Sequence, residues 1–438
     1  MAETADKAGG AGEGGDRGER AQGIDAHGID AQGMDAYRSH GQNRTHGQNR
    51  THGQNRAHEP ERVDPAEGVD GAPDDIETVP AYRTIRVTAP EEPVAAVADL
   101  EAWRARDAYP KLLSAGGPVF GVVREREDGG WEVLDSFAEQ TPQDARDVMG
   151  SRFRERAHGA RQAGDEEQHA VWMAAAERME WEAVDELTVL GVRHRVARAE
   201  RFIRTGPDGP EPPRPSDPDP AVPGEGYKAP RPIQGFVIDP VAATGMSEGI
   251  LKVELLSLVR KAGTVPQDVR EDSRRAARTH PGGVLLPATF LTAECENGRW
   301  RPDSAATSDT PQAARDGLAF ALRVMIPWEL NLQPAERVPY SAAADRFDAA
   351  PADDLEVEGR RFRIVRVERL VRIGPDGPEG PRPSDPDPQL PVMVQHQQLV
   401  ADGVITDDED ESAPVTLDEE TQRLADLFHE EEARRRDR

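Results

Sequence analysis

Cysteine is all but absent: Cys295 is the only one in 438 residues. No internal disulfide and no cysteine-rich zinc site can form, which fits a reducing compartment. Cys295 lies in the run AECENG between Glu294 and Glu296, where neighbouring carboxylates oppose the thiolate. It is expected to be a half-buried strand residue before a turn, not a nucleophile. Long apolar runs are missing too, so no segment is expected to span a bilayer. The first twenty residues hold no apolar h-region, so no secretory signal is expected and the sequence reads as cytoplasmic. Positive charge is outnumbered, with 54 Lys and Arg against 82 Asp and Glu and a net charge of −28. Such a chain repels the phosphate backbone of DNA or RNA, so neither nucleic acid nor a membrane is an expected partner.

Catalytic motifs are equally sparse. There is no G-x-S-x-G nucleophile elbow, no G-x-x-x-x-G-K phosphate loop and no H-E-x-x-H zinc helix, and no cofactor is expected. Glu166-x-x-His169 would need a second Glu-x-x-His to build a di-iron site, and the aligned stretch near Glu336 has no histidine. A surface or capping histidine is the simpler reading. Leu, Ile, Val and Phe together make up less than a fifth of the chain, a composition that requires part of it to remain unfolded.

The unfolded part is expected at the ends. Residues 1–79 carry tandem pentads from Gly23 to Tyr37 and tandem hexads from His40 to Ala57, with His40, His46, His52 and His58 at a six-residue period. The hexads have no apolar member and cannot bury a face, so the arm reads as solvated low complexity, not as a solenoid or a metal site. Its G-x-G-x-x-G match at Gly10, Gly12 and Gly15 follows no strand and is no dinucleotide fingerprint. At the other end, an acidic linker is expected over 395–415. An amphipathic helix is then predicted over 416–436, with a capping box at Thr416 and Glu419. Its apolar residues Leu417, Leu424, Leu427 and Phe428 would dock on the body or into a groove on a protein partner.

Between the ends the sequence repeats itself. TPQDARD at 141–147 returns as TPQAARD at 310–316, Trp131 returns as Trp300, and RTGPDGPEPPRPSDPDP at 204–220 returns as RIGPDGPEGPRPSDPDP at 372–388. Three matched blocks in the same order point to two homologous tandem α+β modules, at 80–223 and 233–394 with a linker at 224–232. They are expected to pair as a pseudo-dimer built of short antiparallel sheets and helices, flanked by disordered termini. Within them, YRTIRV reads as a strand, and 93–109 as a helix with Val94, Val97, Leu100 and Ala108 on one stripe. GPVFGVV and WEVLDSF read as a hairpin about Asp128-Gly129-Gly130, with Trp131 and Trp300 as hairpin core. Thr141 and Thr310 read as helix caps followed by proline. Two helical stripes are expected in the second module, one of Leu251, Leu255, Leu258 and Ala262 and one of Ala314, Leu318, Leu322 and Met325. The Arg-interleaved run 362–374 suits a strand.

The repeated block is the best candidate site. One copy supplies Arg198, Glu200, Arg201, Arg204, Asp208, Arg214, Asp217 and Asp219; the other supplies Arg366, Glu368, Arg369, Arg372, Asp376, Arg382, Asp385 and Asp387. Gly-Pro-Asp-Gly is a favourable turn, and Asp-Pro-Asp-Pro forces a stiff extended path. Charged side chains on such a loop would bind a charged ligand or a partner; alternatively, Arg214 and Arg382 pair with local carboxylates and the loop is a rigid connection. Asp376, Asp385 and Asp387 lack the spacing of a calcium loop. Arg exceeds Lys 49 to 5, so Arg-rich strands can still present local anion-binding forks.

The run Arg198 to Asp217 and the run Arg366 to Asp385 both fit R-x-E-R-x-x-R-x-G-P-D-G-P-E-x-P-R-P-S-D. Through them the chain resembles an actinobacterial protein family of unknown function over about residues 80–400. The resemblance implies a cytoplasmic, duplicated protein and carries no activity. The leading expectation is a non-enzymatic interaction or regulatory protein. The alternative is a ligand-binding or enzymatic pseudo-dimer that uses the two Arg/Asp loops.

Overall fold

The computed structural model describes residues 76–78, 87–88, 93–302, 306–403 and 418–436. The N-terminal repeats, most of YRTIRV, Thr416 and Leu417 lie outside the described residues. The architecture is α+β, with an antiparallel sheet covered by helices.

The chain runs through β1 (Ile76–Thr78), α1 (Pro93–Ala108), β2 (Lys111–Ser114), β3 (Val119–Glu125), β4 (Trp131–Val133), α2 (Pro142–Gln162), α3 (Glu166–Trp181), β5 (Glu186–Val189), β6 (Val192–Gly206) and β7 (Gly209–Pro210). A short 3-10 turn at Gly226–Lys228 leads to β8 (Val237–Ile238), α4 (Met246–Ser257), β9 (Leu258–Arg260), α5 (Gln267–Thr279), β10 (Gly282–Glu296) and β11 (Arg299–Pro302). The remaining elements are α6 (Pro311–Phe320), a π-helical turn (Ala321–Met325), α7 (Ile326–Glu329), α8 (Pro334–Ala349), β12 (Asp354–Val357), β13 (Arg360–Gly374), β14 (Gly377–Pro378), α9 (Val392–Ala401) and α10 (Glu419–Arg436).

The main sheet has the order β11-β10-β13-β6-β3-β4-β8. Its two longest central strands, β6 and β13, pair with each other only over Ala199–Phe202 and Glu368–Val371. Their outer edges pair with β3 and β10, so both faces and both edges of the two strands are occupied. This explains the absence of clean alternation in 362–374, where valines and arginines alike are buried. β10 is continuous but shifts register between Leu286 and Thr289, where Pro287 has no N–H for the ladder.

Local chemistry sets the helix starts as expected. Thr141 Oγ1 accepts the Asp144 N–H at 3.1 Å and the Asp144 carboxylate accepts the Thr141 N–H at 3.2 Å, which closes a capping box. Thr310 Oγ1 accepts the Ala313 N–H at 3.2 Å in the same way. From these starts α2 and α3 lay Met149, Phe153, Ala176 and Met179 on Phe120, Val122 and Val196. On the second half α6, the π turn after it and α8 lay Ala314, Leu318, Leu322 and Phe347 on Phe290, Phe362 and Ile364. Full burial of each large apolar side chain contributes about 1.5–3 kcal/mol, and these two clusters fix the helices on the sheet. The expected stripe holds through Leu322 but not to Met325, which packs with Ala321 and Val324 on Leu427 of α10, because α6 widens into a π turn. Pro327 lacks an N–H and would clash with the carbonyl four residues back, and the wider turn accommodates it.

Three expectations are corrected. In α1, Val94, Val97 and Leu100 are 74, 52 and 50 % exposed. The helix meets α4 through polar contacts instead: Asp99 accepts the Ser247 N–H at 2.9 Å, and Arg106 pairs with Glu254 at 2.9 Å. Leu258 and Ala262 do not extend the α4 stripe, because the chain turns extended at Leu258 and pairs with Thr78. Helix α10 begins at Glu419 and is capped by the Asp418 carboxylate, which accepts the Thr421 N–H at 2.7 Å.

Candidate functional site

Strands β6 and β13 carry the repeated arginines, and the loops that follow β7 and β14 carry the repeated aspartates. Each loop crosses to the other half. Arg198 donates Nε to both oxygens of Asp385 at 3.1 and 2.9 Å, and Arg366 donates Nε to both oxygens of Asp217 at 3.0 and 3.1 Å. The backbones follow the same exchange: the Arg198 N–H donates to the Glu379 carbonyl at 2.8 Å, and the Arg366 N–H donates to the Glu211 carbonyl at 2.9 Å.

The last aspartate of each loop caps a helix of the other half. Asp387 accepts the Gln143 N–H at 3.0 Å and Arg146 Nη1 at 2.6 Å at the start of α2. Asp219 accepts the Gln312 N–H at 2.8 Å and Arg315 Nη1 at 2.5 Å at the start of α6. A carboxylate at a helix N-terminus meets free N–H groups and the positive dipole end, and here the following arginine adds a full charge.

The Gly-Pro-Asp-Gly turns also cross over. Arg195 Nη1 donates to the carbonyls of Asp376 and Pro378 at 3.1 and 2.9 Å, and Arg363 Nη1 donates to those of Asp208 and Pro210 at 3.1 and 3.0 Å. Arg193 and Arg195 lie over the Trp131 ring, and Arg361 and Arg363 over the Trp300 ring. Gly377 seats on Trp131 and Gly209 on Trp300, with φ of +113° and +110° that only glycine adopts without strain. The two tryptophans are thus hairpin residues that also form the seat for the opposite turn.

At the centre, Arg382 pairs with Glu379 at 2.7 Å and with Glu200 at 2.8 Å, while Arg214 pairs with Glu211 at 2.6 Å and with Glu368 at 3.5 Å. Glu368 also pairs with Arg366, and Glu200 with Arg198 at 3.1 Å. Burial works to raise the Glu200 carboxyl, but the guanidiniums of Arg382, Arg372 and Arg198 outweigh it and hold the group well below the usual carboxylate range. Glu368 is lowered in the same way against its burial by Arg366, Arg214 and Arg204.

Four of the arginines make their hydrogen bonds outside these central pairs. Arg369 donates to the carbonyls of Pro287 at 2.9 Å and Phe137 at 3.1 Å, and Arg201 donates to that of Gly117 at 3.0 Å. Burial pulls both guanidiniums down to about 10. Arg204 reaches Glu254 at 3.0 Å, and Arg372 reaches the carbonyls of Leu256 and Leu258 at 3.1 and 3.0 Å, which fastens the sheet to the end of α4.

Fifteen of the sixteen sequence-chosen residues use their side chains within this one assembly, on each other, on backbone groups or on neighbouring charged residues, while Asp208 is held there through its backbone carbonyl. Asp376 sits on Arg193 and Arg195 at 3.1 and 2.6 Å, Asp385 on Arg198, and Asp387 on Arg146, so each of the three carboxylates considered for a cation is bound by guanidinium. Among the described residues no group of His, Cys, Asp and Glu is arranged to hold a metal ion. His169 contacts the Ala157 carbonyl at 3.1 Å, and Cys295 is a half-buried residue of β10 opposite Trp300. Arg146, Arg315, Arg195 and Arg363 were not singled out from sequence. The first two were legible in TPQDARD and TPQAARD, where the same arginine recurs.

Two carboxyls outside the network titrate nearer neutrality. Burial raises Asp135 to about 6, against the pull of the N–H groups of Val122 and Phe137, each donating to it at 2.7 Å. Burial, with Asp135 and Asp144 adding to it, raises Glu139 to about 7. Perturbed carboxyls flag function only when free to act, and Asp135 is spent on two backbone donors.

No curated protein and no solved structure matches the chain. Residues 92–388 match a family of unknown function, DUF5954, and that span contains both repeated blocks and both helix caps. The chain belongs to that family.

Proposed function

We propose that the chain is a tandem duplication of one α+β module and works as a non-enzymatic binding scaffold in the cytoplasm. In this reading the repeated loops are clasps between the modules. The observation that carries it is reciprocity: Arg198–Asp385 has its counterpart in Arg366–Asp217, and Asp387 at α2 has its counterpart in Asp219 at α6. Ionised groups paired in this way have little capacity left for acid–base work.

The partner-binding element in this proposal is α10. Leu427 packs on Ala321, Val324 and Met325, Phe428 stacks on Phe320 with ring centroids 5.2 Å apart, and Glu431 pairs with Arg434 and Arg435. Recruitment through Leu424, Leu427 and Phe428 then proceeds by release of the helix from this seat.

The test replaces Arg214→Gln and Arg382→Gln together in the full chain and follows melting with and without a panel of nucleotides, sugar phosphates and common metabolites. The clasp reading expects a large fall in melting temperature in every sample. An unchanged melting temperature, with loss of a shift that a metabolite gives the parent protein, would instead establish the loops as a ligand site.

A further inference from the structure

The two halves differ beneath α2. Beneath α2 lies a cavity of about 320 Å³ lined by Arg124, Arg152, Arg156, His194, Phe153 and Leu134, with Val122 and Glu155 completing it. Arg124 stands opposite His194 in the β3–β6 register, and one turn separates Arg152 from Arg156 on α2. The corresponding register of the second half sets Glu294 opposite Phe362. The repeat places Ala321 and Met325 where Arg152 and Arg156 stand. That second face is apolar and covered by α10. Three guanidiniums on one cavity of a protein with net charge −28 are therefore a feature of the first half alone.

Carboxylates offset two of the three guanidiniums and leave the third. Arg124 pairs with Glu132 at 2.5 Å and Arg152 with Glu155 at 3.0 Å, while Arg156 has no carboxylate partner among the described residues. His194 is held between the Phe153 and Trp172 rings at 5.1 and 5.9 Å, and its Nδ1 meets the Val192 carbonyl at 3.2 Å. This arrangement leaves Nε2 as the second polar atom of the ring. We propose that this cavity binds a small organic phosphate with a flat apolar body. Three separate guanidinium forks match the three terminal oxygens and double charge of a phosphate monoester better than the two oxygens of a carboxylate. The volume suits a one-ring ligand, and Phe153 and Leu134 supply its apolar wall. The site shares no residue with the clasp loops and stands or falls apart from the scaffold reading.

Titration calorimetry on the full chain with phenyl phosphate tests the proposal, with benzoate and phenol as the carboxylate and the uncharged comparators. Phenyl phosphate should bind, and more tightly than either comparator. Arg156→Gln, an exposed position without a carboxylate partner, should weaken it by at least about tenfold with unliganded melting unchanged. Arg301→Gln, which removes an exposed arginine on β11, should leave it as it was. His194→Phe, which copies the second half, should abolish it. If His194→Phe fails to fold, Arg156→Gln still decides. Absence of heat at millimolar phenyl phosphate, benzoate binding as tightly, or equal weakening by Arg301→Gln would overturn the proposal.

Discussion

Arg201 and Arg369 stand directly opposite each other in the pairing of β6 with β13, and the register is mirrored on either side of them. Glu200 opposes Leu370 as Phe202 opposes Glu368. These positions are equivalent in the sequence repeat, so the strand pairing is self-complementary. The crossed ion pairs, the exchanged helix caps and the exchanged turns are all disposed about this point. Two buried guanidiniums side by side repel, and each donates to backbone, Arg201 to the Gly117 carbonyl and Arg369 to that of Pro287.

The exchanged turns have almost no room. A Cβ on Gly377 would lie 2.7 Å from Trp131 Nε1, at a φ of +113°. Gly377→Ala is expected to cost on the order of 2–4 kcal/mol from strain and overlap together, read by denaturant unfolding. Gly359→Ala, at a φ of +75° with open space around it, should cost about 1–2 kcal/mol. Equal losses at the two sites would show that the tryptophan seat does not matter.

Glu139 gives a pH dependence with a definite sign. Its carboxyl is raised by burial from 4.5 to about 7, so between those values the folded protein retains a proton that the unfolded chain has released. Stability from this group therefore falls as pH rises through that window, and the loss is complete above it. Glu139→Gln should raise the melting temperature relative to the parent at pH 8 and leave it matched at pH 4. A difference that does not vary with pH would contradict the assignment.

Helix α10 rests on a small apolar contact. Leu427 is 3 % exposed against Ala321, Val324 and Met325, and Leu427→Ala should remove about 2–5 kcal/mol from that contact. Undocking of α10 is then expected before global unfolding. Amide exchange over 419–436 should accelerate strongly while that of β6 and β13 stays protected. Uniform acceleration across the sheet would instead make α10 part of one cooperative unit.

Much of this was legible locally. The Thr141 N-cap, the turns at Gly206 and Gly374 and the strand over 362–374 follow from short-range chemistry, and the sequence reading placed them; the closing of the capping box by Asp144 and the strand's start at Arg360 came from the structure. The crossing of the loops was not legible, since Arg198 and Asp385 are 187 residues apart and periodicity says nothing about which copy an aspartate will meet. Helix α1 misled because its apolar residues recur at helical spacing, whereas its contact with α4 is made by Asp99 and Arg106. The α4 stripe ran on in sequence to Leu258 and Ala262, but pairing with β1 ended the helix at Ser257. The cavity residues were visible only as scattered arginines and a histidine. What marks them is the mismatch with the second half, where His194 corresponds to Phe362.

The central claim is that crossed, buried ion pairs join the two halves, and a double-mutant cycle on Arg198 and Asp385 tests it most directly. Their side chains are 4 and 5 % exposed, so either Arg198→Gln or Asp385→Asn alone should cost about 3–5 kcal/mol by stranding its partner. The double variant should recover part of that loss, with a coupling of about 1–3 kcal/mol in denaturant unfolding, and the cycle on Arg366 and Asp217 should give the same coupling. Additive single effects at both sites, with no coupling, would contradict the account.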